Sequence, residues 1–189
     1  NYIRSFLPAI DKVQKIIQTG KLGKFVYGNL VYGKGLLNNA SHFINLAELL
    51  IGDLNLQTKY KSFNKCLDYD EEINLVLKSS NYNSAELNVV SISKVGMVAG
   101  ELDLWFENGR ILWPNNGSNI NIWFSEKMNS DKDMYFKLER NPKKIFTDMD
   151  RYQMHVLNNL FEIINQKSKA IPLCSLNSGA KTLELLLGN

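Results

Sequence analysis

His42 stands where an apolar, β-branched and aromatic segment, Phe25 to Tyr32, gives way to a run with helical spacing, Phe43, Leu46, Ala47, Leu49 and Leu50, that Gly52 ends. The pattern predicts a strand, a turn spelled Gly35-Leu-Leu-Asn-Asn-Ala-Ser-His42, and a helix with His42 in its first turn. Backbone donors in a first turn lack intrahelical partners, and the dipole presents its positive end there. Such a place favours anions and keeps an imidazole neutral, able to accept a proton as a general base. A buried histidine whose ring nitrogens are satisfied locally fits the same spacing, so both readings stay open. Asn38, Asn39 and Ser41 add donors and acceptors suited to a polyhydroxylated ligand, and Asn39 or Ser41 could equally cap the helix.

The elements that must position this turn follow from periodicity. A first helix is predicted from about Pro8 to Thr19, with Ile10, Val13, Ile16 and Ile17 on one face and Gly20 as its stop. After the helix from Ser41 to Ile51 come strand-like segments near Leu54–Phe63, Glu72–Leu77, Ala85–Ser93, Val98–Glu107, Arg110–Trp113, Ile120–Phe124 and Met134–Leu138, with a hairpin signal at Asn108-Gly109. Two helices close the chain, about Asp148–Asn165 and Leu176–Leu187, the second capped by Ser175. Strands on short turns must run antiparallel, which predicts an α+β fold, a large, mostly antiparallel open sheet with helices packed on one face. Leu102, Leu104 and Phe106, with Ile120, Ile122 and Phe124, would line the covered face. The other face carries acids, amides, Trp105 and Trp123, which is either a sparsely exposed surface or an interface.

Composition narrows the function classes. The chain has 189 residues, 44% of them hydrophobic, enough for one core. A net charge of +3 comes from well-mixed residues without a basic cluster, so neither nucleic acid nor a membrane surface is an expected partner. No apolar run approaches a membrane span. Cys66 and Cys174 form no Cys-x-x-Cys pair and lack the partners of a metal site, which reads as reduced thiols in a cytoplasmic protein. Asn39-Ala-Ser41 and Asn116-Gly-Ser118 match the glycosylation pattern by chance on that reading. Gly28 to Lys34 has P-loop spacing, but Gly35 replaces the magnesium-binding hydroxyl and the intervening residues read as strand. His155, with no evident partner, reads as part of a solvated helix face.

The opening Asn1-Tyr2-Ile3-Arg4-Ser5-Phe6-Leu7-Pro8, the Thr19-Gly20-Lys21-Leu22-Gly23 helix end and the Lys34-to-His42 turn occur in an order similar to that of a known family. They resemble the start of the C-terminal domain of the Gfo/Idh/MocA family of NAD(P)-dependent oxidoreductases, most closely members linked to bacterial surface-polysaccharide synthesis. Glu101 to Ile111 and Pro172 to Leu176 resemble that family's strand–turn–strand and its entry to the last helix. The resemblance implies that residues 1–189 are one substrate-binding and oligomerisation domain. NAD or NADP would be held by an N-terminal Rossmann domain, because Gly-x-Gly-x-x-Gly does not occur in these residues. The start at Asn1 reads as a piece of a longer polypeptide, itself inactive.

By the same resemblance His42 is the catalytic base or proton relay in hydride transfer from a sugar or sugar-nucleotide hydroxyl. Tyr2 and Arg4 belong to the entry motif. Arg4 could anchor a substrate carboxylate or phosphate, or could tie the first loop to the domain. Many members carry Asp where this chain has Asn38, and Asn cannot hold charge or accept a proton. Either His42 works with a lysine of the other domain, or the chain is a non-catalytic binding or assembly module derived from such an enzyme. Asn45, one turn on, could orient the imidazole. The family's open sheet face commonly builds oligomers, which makes Trp105 and Trp123 candidate contacts in a homo-oligomer.

Overall fold

A computed structural model describes residues 2–61, 70–82, 85–92, 99–114, 117–127, 136–165 and 175–187. Cys66, Cys174, Asn116 and the predicted strand ends at Phe63, Ser93, Val98 and Met134 lie outside them, as does Pro172. The elements run in the order of a 3-10 turn (Ile3–Phe6), α1 (Pro8–Gln18), β1 (Phe25–Tyr32), a π turn (Leu36–Ala40), α2 (Ser41–Ile51), β2 (Leu54–Lys61), β3 (Ile73–Ser79) and β4 (Glu86–Ser91). They continue with β5 (Gly100–Phe106), β6 (Gly109–Trp113), β7 (Asn119–Lys127), β8 (Phe136–Leu138), β9 (Lys143–Phe146), a 3-10 turn (Met149–Arg151), α3 (Tyr152–Ile164) and α4 (Leu176–Leu187).

The nine strands form one open sheet in the order β2-β3-β4-β1-β5-β6-β7-β8, with β9 beside β8 along the outer edge of β7. Every pairing is antiparallel except β1 with β4. That exception has a simple origin. β1 leaves the sheet into α2, and the β2-β3-β4 meander then returns to the free side of β1. The fold is α+β, as the periodicity predicts.

Strand alternation separates two faces. Leu30, Tyr32, Leu75, Leu77, Leu87, Val89, Leu102, Leu104, Ile111 and Ile122 are buried on one face, joined there by Ile10, Val13, Phe43, Leu46 and Ala47 from α1 and α2. The other face keeps Asn29, Val31, Asn88, Asp103, Trp105, Arg110, Asn121 and Trp123 half-buried. Ser175 Oγ accepts the Ser178 N–H at 3.1 Å, as a cap of α4 should. No helix among the described residues is long and apolar enough to cross a membrane.

Candidate functional site

The turn before His42 differs from a simple strand-to-helix corner. Lys34 (φ 72°) and Gly35 (φ 93°) reverse the chain, and a one-turn π helix then runs without a break into α2. His42 is therefore seven residues beyond Gly35 and well inside a helical run, not at its free N-terminus. The unpaired donors lie upstream and are all taken. Asp70 accepts the Leu37 and Asn38 N–H groups at 2.9 and 2.8 Å, Glu72 accepts the Gly35 N–H at 2.8 Å, and the Glu71 carbonyl accepts Leu36 N–H at 3.2 Å. Asp70 and Glu72 are both buried, and Glu72 also accepts the Ser91 hydroxyl at 2.6 Å. A carboxylate of the chain itself thus fills the anion position that the sequence offers to a ligand. Gly35 is required because a Cβ there would collide with the Asp70 carboxylate.

The first 3-10 turn clamps α2 around the histidine. The Tyr2 ring stands edge-on to His42 with centroids 5.2 Å apart. Arg4 lies over the Phe43 ring at 4.1 Å and donates to Asn39 Oδ1 at 3.4 Å. Ser5 donates to Asn45 Oδ1 at 3.3 Å. Tyr2, Arg4 and Asn39 are all buried. Asn39 spends both amide protons on the carbonyls of Gly33 (2.7 Å) and Ala99 (2.6 Å), so it braces the end of β1 against the approach to β5 and makes no helix-capping bond. Asn38 is exposed, with its amide donating to the Lys34 carbonyl at 3.1 Å. Asn45 points away from the imidazole, donating to Ser178 and Thr182 of α4, each at 3.0 Å. Thr182 passes the chain on to Glu48 at 2.7 Å, whose second carboxylate oxygen is buried without a partner among the described residues. Burial raises the Glu48 carboxyl above its ordinary value.

His42 is half-buried, and its Nδ1 is shielded with no hydrogen-bond partner among the described residues. Burial first, and the nearby Arg4 guanidinium second, pull the imidazole down to about 4. The lowering thus comes from desolvation and a cation, not from a helix terminus. Between about pH 6.5 and 4 the unfolded chain binds a proton that the folded state refuses, so stability falls as pH drops through that window and is level above it. Urea midpoints measured from pH 7 to pH 4 should decline in the wild type, and His42→Asn should flatten the decline. An equally steep decline in the variant would place the acid sensitivity elsewhere.

The open face carries a second constellation. Arg110 makes a bidentate ion pair with Asp103 (2.8 and 2.9 Å) while its guanidinium lies 4.6 Å from the Trp105 ring and 5.5 Å from the Trp123 ring. Trp105 Nε1 also donates to Asp103, at 3.1 Å. Both predicted tryptophans thus belong to one row across β5, β6 and β7. His155 is not the partnerless surface residue that the sequence suggests, because its Nε2 lies 3.0 Å from Asp148 and its side chain is 17% exposed.

Asp70 and Glu72 escape sequence reasoning: Glu72 shows there only as the start of a predicted strand, and no motif ties Asp70 to a turn more than thirty residues earlier. No group of three or more His, Cys, Asp or Glu residues is gathered for a metal among the described residues. The turn from β1 into the π helix does not fit a dinucleotide pyrophosphate either, because Asp70 already occupies its donors.

No protein-family model matches the chain, and no curated protein matches it in sequence. Solved structures do match in fold. The WlbA dehydrogenase from Bordetella pertussis, in complex with NADH and UDP-GlcNAcA, superposes with a TM-score of 0.72 at 14% identity over 99% of this chain and 59% of its own. KijD10, a 3-ketoreductase from Actinomadura kijaniata in complex with NADP, gives 0.65 at 12% identity over 100% and 59%. A levoglucosan dehydrogenase with NADH and levoglucosan gives 0.66 at 12% identity over 97% and 61%. These are Gfo/Idh/MocA-type NAD(P) oxidoreductases, and this chain has the fold of their C-terminal domain. It spans about three fifths of the length of each of them.

Proposed function

We propose that the chain is the substrate-binding and oligomerisation domain of an NAD(P)-dependent oxidoreductase acting on a sugar or sugar-nucleotide hydroxyl. One observation carries the reading: a neutral, partly sheltered imidazole whose Nδ1 has no partner among the described residues, in a fold that matches sugar-handling dehydrogenases over nearly the whole of this chain. An orphaned buried nitrogen costs about 1–3 kcal/mol, a cost expected where a ligand completes the site. The nicotinamide, when bound by another domain, takes or returns a hydride. This chain's part is the proton. His42, neutral at working pH, accepts it from the substrate hydroxyl in oxidation and returns it in reduction. Asn38, exposed one helical turn before His42, offers its amide to further hydroxyls. Tyr2, Arg4 and Asn39 act behind these two, fixing the ring and the turn. In isolation these 189 residues would lack hydride transfer, since their glycine turn is closed to a pyrophosphate.

The test is nicotinamide absorbance with the complete encoded polypeptide and a panel of sugars and sugar nucleotides. Turnover of any of them supports the enzyme. The second reading, a non-catalytic module derived from such an enzyme, is favoured by Asn38, an uncharged side chain at a position where the resemblance implies Asp. Ligand binding without turnover would establish it.

Oligomerisation belongs to the same proposal. The Asp103–Arg110 pair between two tryptophans is desolvated on one side and offers flat aromatic area, as the centre of an interface does. Trp123→Ala should weaken self-association by about 2 kcal/mol or more, roughly thirtyfold. Sedimentation of the variant beside wild type measures it; identical concentration dependence would remove the row from the interface.

A further inference from the structure

Tyr2, which shelters His42, is itself packed on α4. Glycine weakens a helix interior, yet Gly179 is the fourth residue of that helix. A Cβ added there would stand 3.5 Å from Cε2 and 3.9 Å from Cδ2 of Tyr2, so the ring lies directly against this turn of α4. The same ring stands edge-on to His42, with centroids 5.2 Å apart. A buried polar chain holds α4 in that place. Asn45 Oδ1 accepts the Ser5 hydroxyl at 3.3 Å, and its amide donates to Ser178 Oγ and Thr182 Oγ1, each at 3.0 Å. The first 3-10 turn, α2 and α4 thus meet on one side chain. Thr182, 0% exposed, accepts from Asn45 and donates to Glu48 at 2.7 Å. Ser178 adjoins Gly179 and Thr182 lies three residues beyond it, so these bonds act on the part of α4 that carries Tyr2.

We infer that Thr182 and Gly179 are positioning residues for His42, the first tying α4 to α2 and the second receiving the Tyr2 ring that α4 holds against the imidazole. The inference rests on the proposed function of that histidine. A hydroxyl that accepts and donates within a buried chain fixes one orientation of α4, which apolar packing, having no directional preference, does not. Arg4, on the first turn, is the charged side chain that acts on His42. Glu48 is joined at the contact of α2 with α4 by Asp53 and Lys181, which pair with each other, and none of these three is among the groups that act on His42. A change at Thr182 therefore reaches the imidazole through Tyr2 and not through charge.

The experiment follows the His42 imidazole by NMR titration of the complete encoded polypeptide, with His42→Asn assigning the resonance, beside the pH profile of kcat/KM. Thr182→Val keeps the shape and removes the hydroxyl, and Thr182→Ser restores it. In Thr182→Val the titration should rise from about 4 to about 5 or above as water reaches the ring, while Thr182→Ser should stay at the wild-type value. Gly179→Leu should push the Tyr2 ring away and give the same rise. Gly179→Ala fits the contact and favours the helix, so it should raise the urea midpoint and leave the titration unchanged. With Tyr2→Ala already present, Thr182→Val should add no further shift, since the ring through which it acts is gone. A cooperatively folded Thr182→Val that titrates like wild type, or a shift that adds in full to that of Tyr2→Ala, would overturn the inference. Should Thr182→Val not fold, the Gly179 variants decide, and Gly179→Leu titrating like wild type is the contrary result. Absence of turnover with every sugar would sink the functional proposal, and the titrations would still decide what seats Tyr2 on His42.

Discussion

His42→Ala in the complete polypeptide should lower turnover of its best sugar or sugar-nucleotide substrate by about 100- to 10,000-fold, the range lost when a positioned general base is removed. Cofactor affinity should be unchanged, because among the described residues the backbone donors of the turn before His42 are taken by Asp70 and are not open to a dinucleotide. The pH profile adds a readout that a structural role would not move. An ordinary histidine titrates near 6.5. His42 is held at about 4, so the acid limb of kcat/KM should be displaced well below 6.5 and the rate should be flat between about pH 6 and 8. An acid limb at about 6.5 would mean that another group carries the proton. Tyr2→Phe keeps the ring that stands against His42 and should leave rate and profile close to wild type. Tyr2→Ala opens that side of the imidazole to water and should move the acid limb back towards 6.5. Unchanged turnover in His42→Ala would return the residue to a packing role between Tyr2 and α2.

The residues whose environment is set by period alone were legible in the sequence. Leu102, Leu104 and Phe106 face the core and Asp103 and Trp105 the other side, as strict alternation demands. The spans of α2 and α4 agree with their apolar spacing and their Gly52 and Ser175 boundaries. What was hidden depends on partners remote in sequence. The strand β9 has a single buried side chain, Ile145, among exposed Lys143, Lys144 and Phe146, so its pairing with β7 leaves almost no pattern. The parallel β1–β4 ladder is fixed by α2 reversing the chain, which no local motif declares. The π turn has no compositional signature, and placing His42 at a helix terminus followed from missing it. Arg4 lies within hydrogen-bonding range of Asn39, 35 residues away, and its burial could not be foreseen from a lone arginine in an opening motif.

Asp70 is where that long-range dependence should be felt most. Asp70→Ala removes the acceptor for two backbone donors, Leu37 N–H and Asn38 N–H, whose carboxylate partner is itself buried. Each unsatisfied donor costs about 1–3 kcal/mol, so the chain should lose about 2–5 kcal/mol of stability, at the upper end for a single substitution. Asp70→Asn tests whether this is charge and geometry or merely volume. An amide has one acceptor oxygen, and its NH2 would face the second N–H, so Asn should cost nearly as much as Ala. Gly35→Ala attacks the same contact from the other side, by a collision with Asp70 and by a φ of 93° that a Cβ resists. Because the collision vanishes when Asp70 is absent, the double variant should cost less than the two singles summed, leaving mainly the backbone strain. Urea unfolding provides the free energies, and exchange at the Leu37 and Asn38 amides reports the turn itself. Strict additivity, or a loss of under about 0.5 kcal/mol for Asp70→Ala, would show that the carboxylate does not hold the turn. If it does hold it, Asp70→Asn should also lower kcat in the complete polypeptide, because the turn that loosens is the one that carries Asn38 and leads without a break to His42.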